Sequence, residues 1–199
     1  MSPTIRRLIA TSSVVLLVST IAVTAKEKEA HPENSQSEIQ RGLSLSPVAL
    51  NLLGKNRALV ARGSYLVNAS GGCIGCHTAP HFVPGGSPFL GEPEQINSAG
   101  FMGGGAAFGP FISRNLTPNF DGNPGGLTLD QFKHVIRTGR DLKGLPPPVP
   151  SPANDLLQVM PWVEYKGMVD QDLEAIYEYL RAIPCLEGGP GMAPGRCSP

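Results

Sequence analysis

The sequence predicts an all-α domain in which a few short helices are joined by long loops. Two observations support this prediction. The 24 Gly and 20 Pro residues make 44 of 199, about 22% where proteins average roughly 12%, and both residue types interrupt regular elements. Three separate stretches carry apolar residues at helical spacing. The composition argues against a coiled coil, a bundle of long helices and a regular α/β repeat. Aromatic residues are only 6%, and a chain with so thin a core commonly needs a metal, a cofactor or disulfides.

The first 25 residues have the order of an export signal. Arg6 and Arg7 precede an apolar run over residues 8–23, and a charged sequence begins at Lys26. Small residues stand just before that charge, where a signal peptidase cleaves. The run is shorter than the roughly 20 residues of a membrane-spanning helix. We therefore expect cleavage after Ala25, with an uncleaved N-terminal anchor as the alternative.

Composition divides the rest of the chain into three segments. Residues 26–48 are polar, lack apolar periodicity and predict a flexible linker. The folded domain is expected over residues 49–184, and residues 185–199 form a C-terminal tail. The formal net charge of +0 gives no basic surface for nucleic acid. Cleavage would remove two arginines, leaving 14 basic against 16 acidic residues, a net charge of −2.

The first helix of the domain is predicted over residues 56–70. Its apolar stripe includes Gly63, and a glycine in such a stripe indicates the close approach of a second backbone. Two glycines then stop the helix. Residues 79–126 hold much of the Gly and Pro and predict a long loop, and residues 141–161 predict a second loop.

Two further helices have recognisable ends. Thr128 and Gln131 have the spacing of a capping box, and the helix that they open stops at Gly139. The last helix is expected to begin near Asp170 as its N-cap residue. Pro184 ends it.

The sequence Cys73-Ile74-Gly75-Cys76-His77 has the C-x-x-C-H spacing of c-type haem attachment. Two cysteines at this spacing can form thioether bonds to the two vinyl groups on one porphyrin edge, which carries His77 under the ring as proximal iron ligand. The export signal adds weight, because bacteria attach this haem outside the cytoplasm. A thioredoxin-like pair would need a strand-to-helix junction. A zinc site would need a second Cys/His pair, and Cys185 and Cys197 lack that spacing.

Several motifs follow one another in the order of a known family, and they are Ala61–Leu66, Cys73–His77, Asn115–Pro118, Phe132–Arg140, Met160–Trp162 and Asp172–Arg181. Over roughly residues 56–184 the chain resembles a class I, mono-haem cytochrome c domain. It is most similar to cytochrome c domains and subunits of periplasmic or membrane-bound dehydrogenases. The resemblance implies a small all-α fold around one covalent haem c. It also implies that Tyr179 and Leu180 cross Gly63.

Whether a side chain occupies the sixth coordination position of the iron distinguishes an electron carrier from a catalyst. When both axial positions are filled the haem moves electrons, whereas an open position binds small molecules. The resemblance places the axial methionine at Met160, in a loop stiffened by Pro161. Met102 lies among glycines, in a loop that we expect to be too mobile to hold a ligand. Position also disfavours the other sulfur and imidazole side chains, which are Met168, Met192, His81 and His134.

Groups around the haem are predicted less specifically. A proximal histidine usually donates its second ring N–H to a carbonyl, and Pro80 or Pro84 could supply that carbonyl for His77. The candidates to bind haem propionates, with ordinary structural roles as the alternative, are Asn115, Thr117, Arg137 and Trp162.

Cys185 and Cys197 predict a disulfide, because the cysteine count is even and the chain is expected to be exported. The bond would close a 13-residue loop and contribute roughly 3 kcal/mol in the chain-entropy model. Two free thiols are the alternative. Since we expect the tail to lie outside the domain, most of this effect would order the tail.

The leading hypothesis is an exported electron carrier and not an enzyme. It would carry single electrons from a dehydrogenase or respiratory complex to an oxidase or another cytochrome in the periplasm. Its partners would be redox proteins and not nucleic acid, with membrane contact only through an uncleaved N-terminus. One alternative is a haem enzyme or gas sensor with an open sixth position, for example peroxidase-like. Another is a subunit of a larger dehydrogenase, with the haem as an internal relay.

Overall fold

The computed structural model describes residues 32–142, 156–188 and 195–199. The expected signal over residues 1–25 lies outside this range, as does the proline-rich part of the second predicted loop. In the part of the chain that the model describes, no helix combines the length and apolarity needed to cross a membrane.

The described elements are mostly helical, which agrees with the predicted fold class. The helices are α1 Pro32–Ser44, α2 Arg57–Tyr65, α3 Cys73–His77, α4 Leu129–Thr138, α5 Trp162–Tyr165 and α6 Asp170–Ala182. A π-helical turn over Leu66–Ser70 extends α2, and two 3₁₀ turns lie at Pro88–Leu90 and Ser98–Gly100. A short antiparallel hairpin joins β1 Ala107–Phe108 to β2 Phe111–Ile112, with Ala107 opposite Ile112. The predicted loop over 79–126 is otherwise irregular.

Helices α2 and α6 cross at Gly63. A Cβ atom at this position would overlap the carbonyl oxygen of Ala175 and would lie 2.7 Å from the Cβ of Tyr179. The prediction that this glycine admits a second backbone is therefore confirmed. The α6 residues closest to Gly63 are Ala175 and Tyr179. The resemblance implied Tyr179 and Leu180, so Tyr179 is confirmed and Ala175 takes the place of Leu180. Apolar side chains from α2, α4 and α6 pack around the crossing, among them Val60, Phe132 and Leu173.

The capping box at the start of α4 is formed as predicted. The Gln131 amide N–H donates to the Thr128 hydroxyl at 3.3 Å, and the Thr128 N–H donates to the Gln131 side chain at 3.0 Å. The helix ends at Gly139, whose φ of 70° is the left-handed conformation of a helix C-cap.

The start of α6 differs from the prediction. Val169 is the N-cap residue and Asp170 is the first helical residue, so the assignment of Asp170 as the cap is wrong. Its carboxylate accepts from Arg137 Nη2 at 2.6 Å and lies 3.6 Å from Lys133 Nζ. These two cations on α4 pull the carboxylate away from the N–H groups of its own helix.

A helix occupies much of the predicted linker, so the assignment of residues 26–48 as flexible is wrong for residues 32–48. Gly42 of α1 packs on α2, where a Cβ would lie 3.0 Å from that of Ala61. The Tyr179 hydroxyl donates to Ser46 Oγ at 3.1 Å. Over residues 35–44 of α1, the apolar face consists of Ile39, Gly42 and Leu43, and the polar residues around these three conceal the helical period.

The C-terminal tail packs on the domain. Cys185 and Cys197 form the predicted disulfide, with their Cα atoms 5.7 Å apart. The Leu186 N–H donates to Thr117 Oγ1 at 3.1 Å, and the Arg196 guanidinium donates to the Thr117 carbonyl. The expectation that the tail lies outside the domain is therefore wrong, because buried polar groups of the long loop take their partners from it.

Candidate functional site

A cavity of about 560 Å³ lies beside α3. Its size is within the range of small-molecule and cofactor sites, roughly 300–1,000 Å³. Its walls come from the end of α2, the hairpin, α4, the segments around α5, and α6. Most of its side chains are apolar, among them Leu66, Val67, Phe108, Phe111, Leu116, Phe132, Ile136 and Leu180. These residues suit a large, flat and mainly apolar prosthetic group such as haem.

Both cysteines of the C-x-x-C-H motif line this cavity as free thiols. Burial raises the pKa of the Cys73 thiol to about 11. A thioredoxin-like cysteine needs a lowered pKa to be reactive, so the environment of Cys73 disfavours that alternative. Within the described ranges, no group of three or more His, Cys, Asp and Glu side chains could hold a metal ion, as a zinc site would require.

His77 lines the same cavity and is fixed by a hydrogen bond from its ring. Nδ1 donates to the carbonyl of Arg114 at 2.8 Å. Burial lowers the pKa of His77, which this hydrogen bond partly opposes. A neutral ring that donates through Nδ1 keeps the lone pair of Nε2 for a metal. The predicted acceptors, Pro80 and Pro84, are wrong, and the Pro80 carbonyl instead accepts from Asn97 Nδ2 at 3.0 Å.

The chain returns to His77 through a glycine. The Gly104 N–H donates to the His77 carbonyl at 2.8 Å, and Gly104 has a φ of +73°. A Cβ there would lie 2.5 Å from the carbonyl carbon of Arg114. Gly104 thus lets residues 104 and 114 come together beside His77, and a side chain would separate them. The run of glycines is visible in the sequence, but the sequence does not show that Gly104 packs on the backbone of Ser113 and Arg114.

Met102 is part of the same wall, and the expectation that its loop is mobile is wrong. Its side chain is fully buried and lines the cavity. The Met102 N–H donates to Thr78 Oγ1 at 3.1 Å, and its carbonyl accepts from Leu116 at 2.8 Å. These bonds join the backbone of Met102 to Thr78, the residue after His77, and to Leu116.

Among the described residues, three methionines line the cavity, namely Met102, Met160 and Met168. Met160 precedes α5, and its carbonyl accepts from the Trp162 N–H at 2.8 Å. The indole of Trp162 packs on Gly139 at the end of α4. The four predicted haem-site residues, Cys73, Cys76, His77 and Met160, therefore all line one cavity.

The two alternative histidines do not line the cavity. His134 is exposed on α4. The ring of His81 stacks on Phe82, with the ring centres 4.1 Å apart.

The charged part of the cavity wall was not predicted. Arg114 and Asp141 both line the cavity and form an ion pair, and the Asp141 side chain is 4% exposed. Of the residues predicted to meet propionates, only Asn115 reaches the cavity lining. Arg137 instead pairs with Asp170. Arg114 directly precedes the Asn115–Pro118 motif, which is the signal that could have identified it.

Comparisons with known proteins agree with the motifs. No protein-family model matches the chain. The chain is 32% identical over 124 residues to the gluconate 2-dehydrogenase cytochrome c subunit of Pantoea cypripedii, which is 62% of this chain and 23% of that protein. It is 31% identical over 124 residues to the alcohol dehydrogenase (quinone) cytochrome c subunit of Gluconobacter oxydans (strain 621H), 62% of this chain and 21% of that protein. The fructose dehydrogenase cytochrome subunit of Gluconobacter japonicus is 28% identical over 125 residues, 63% and 21% of the two chains.

These similarities confirm the predicted resemblance to cytochrome c subunits of dehydrogenases. Each of the three relatives is named as the cytochrome subunit of a dehydrogenase. The chain spans between a fifth and a quarter of the length of these relatives.

Proposed function

We propose that this chain is an exported c-type cytochrome that carries single electrons through one covalently bound haem c. The main support is the apolar cavity onto which Cys73, Cys76 and His77 all open. The similarity to cytochrome subunits of dehydrogenases supports the same function. When bound, the haem would supply one-electron exchange between Fe(III) and Fe(II).

Each residue of the motif has a role in this proposal. Cys73 and Cys76 would hold the haem through thioether links, and His77 would bind its iron through Nε2. The Arg114 carbonyl holds the His77 ring in one orientation and makes it a better donor. The apolar walls offer few hydrogen-bond partners to water, so little solvent would reorganise when the charge of the iron changes.

Met160 is the residue that we propose as the second iron ligand beside His77. Met102 lines the same cavity, but it stands outside the Met-Pro-Trp motif in which the resemblance places the axial methionine. Met168 follows α5 and also lies outside the Met-Pro-Trp motif, which is residues 160–162. A thioether ligand from Met160 would raise the reduction potential of the iron relative to a second imidazole ligand.

The proposed partners are redox proteins. Dehydrogenase subunits among the relatives support an upstream dehydrogenase, with an oxidase or another cytochrome downstream. Ile112, Leu142 and Val159 line the cavity and are 42–46% exposed, so a partner could approach its mouth. The proposed location is the periplasm, with membrane attachment only through an uncleaved N-terminus.

The first experiment tests attachment. The chain is expressed in a host that attaches c-type haem, and the denatured protein is stained for haem on a gel. We expect stain in the wild type and none in C73S/C76S. A wild type without covalent haem contradicts the proposal.

The second experiment tests the ligand and the type of function. We expect the methionine-to-iron charge-transfer band of the oxidised protein to disappear in Met160→Ala and to persist in the matched control Met168→Ala. A band that survives in Met160→Ala contradicts the ligand assignment. Rapid, tight carbon monoxide binding by the reduced wild type would favour the enzyme or gas-sensor alternative.

A further inference from the structure

The side chain of Asn115 is buried and fully hydrogen-bonded. It is 2% exposed. Its Nδ2 donates to the carbonyls of Leu186 at 3.0 Å and Gly188 at 3.1 Å. Its Oδ1 accepts from the backbone N–H and the hydroxyl of Thr117, at 2.8 and 2.6 Å. Two donors and two acceptor positions are all that an amide has, so residue 115 is held from every side.

The peptide bond before Asn115 carries the carbonyl that orients His77. A peptide unit is planar and rigid, so holding Asn115 in place restricts how far the Arg114 carbonyl can turn. That carbonyl accepts from His77 Nδ1 at 2.8 Å. On its other side, Gly104 packs directly on the Arg114 backbone. The acceptor is therefore held between the Gly104 turn and the groups that bind Asn115.

The two carbonyls that accept from Asn115 belong to the C-terminal tail, which carries the disulfide. Leu186 and Gly188 lie one and three residues after Cys185. The Glu187 carboxylate accepts from the N–H groups of Gly195, Arg196 and Cys197, at 2.9–3.0 Å. The Arg196 carbonyl accepts from Phe120 at 2.7 Å. Two tail segments joined by the disulfide, residues 185–188 and 195–197, therefore both hydrogen-bond to the segment 115–120.

We propose that Asn115 is a positioning residue for His77, and that the two tail segments joined by the disulfide, residues 185–188 and 195–199, are its anchor. Asn115 was a predicted propionate ligand, but all its hydrogen bonds go to the tail and to Thr117. The role proposed here rests on the proposed function, because it matters only where His77 ligates iron. A firmly held carbonyl keeps the hydrogen bond from His77 Nδ1 to the Arg114 oxygen short, which makes the imidazole a more basic ligand. A loosened carbonyl makes the ligand a weaker donor, which favours the reduced iron.

The test compares Asn115→Ala with the matched control Asn68→Ala. The Asn68 amide donates to Ser64 Oγ at 3.1 Å and to the Tyr179 hydroxyl at 3.0 Å, between α2 and α6. Both variants are expected to melt below the wild type. Only Asn115→Ala should shift the electron-exchange equilibrium toward the reduced form, by at least threefold, or about 28 mV at 59 mV per tenfold. Only Asn115→Ala should speed the exchange of the His77 Nδ1 proton in NMR spectra of the reduced, haem-loaded protein.

A second variant keeps the proposal testable if Asn115→Ala is not recovered folded. C185S/C197S retains Asn115 and removes only the covalent closure, and we expect a shift in the same direction but smaller. An unchanged potential and unchanged proton exchange in the recovered variants overturn the inference, as does an equal shift in Asn68→Ala. A wild type with covalent haem and unshifted variants refutes this inference alone. A wild type without covalent haem refutes the proposed function and this inference together.

Discussion

Replacing Gly63 by alanine should destabilise the protein even though alanine is the better helix former. In an exposed helix the change would gain about 1 kcal/mol. Here the new methyl group would overlap the Ala175 carbonyl and lie 2.7 Å from the Tyr179 Cβ. Overfilling a packed interface typically costs about 1–3 kcal/mol. A backbone carbonyl cannot rotate away as a side chain can, so we expect the upper part of that range.

The two effects combine to a net loss of about 2 kcal/mol in the free energy of unfolding. For a chain of this length that corresponds to a melting temperature lower by about 4–8 °C. Gly63→Val should lose more, since a branched side chain fits this space less well. Thermal unfolding followed by far-ultraviolet circular dichroism, together with urea midpoints, measures both variants.

Gly167→Ala is the matched control. A Cβ at Gly167 would meet no atom within 4 Å, so we expect a change within about 0.5 kcal/mol. If Gly63→Ala melts at or above the wild-type temperature while the control behaves as expected, the close approach of α2 and α6 is refuted.

Three further substitutions test separate contacts. Thr128→Ala removes the capping oxygen of α4 and should cost about 1 kcal/mol in urea unfolding, whereas Thr128→Ser should cost little; equal losses would argue against the cap. Tyr179→Phe deprives Ser46 and the Asn68 amide of a partner and should cost about 1–2 kcal/mol, with faster proteolysis around residue 46; an unaltered digestion pattern would count against a docked segment there. Arg137 and Lys133 lower the pKa of Asp170, so its charge stabilises the fold above about pH 4 and this contribution is lost as the pH falls through the lowered pKa. Asp170→Asn should thus be less stable than the wild type at pH 7 but not at about pH 2, and a difference that persists at low pH would contradict this reasoning.

Local patterns in the sequence predicted the parts of the fold whose cause is local. The capping box at Thr128 needs only a residue three positions away. The C-x-x-C-H motif, which predicts haem attachment, is complete within five consecutive residues. Gly63 interrupts an apolar stripe, and an interrupted stripe already indicates a neighbouring backbone. The disulfide followed from an even cysteine count in a chain expected to be exported.

Contacts between distant segments could not be predicted in the same way. The acceptor for His77 is Arg114, 37 residues away, and a loop without periodicity does not indicate where it returns. Helix α1 was missed because its apolar face is narrow and most of its residues are polar. The misplaced cap at Asp170 has a similar cause, because the Arg137 that draws its carboxylate away lies on another helix.

The crossing of α2 and α6 also bears on the order of events during folding. The ion pair of Arg62 with Asp172 beside this crossing joins residues 110 positions apart. Closing so long a loop is entropically costly, and chains rich in distant contacts fold slowly. The attachment sequence at 73–77 emerges during synthesis well before α6. Under the proposed function, Cys73 and Cys76 would therefore be accessible to a haem-attachment apparatus before the chain closes, and the last helix would close the cavity afterwards.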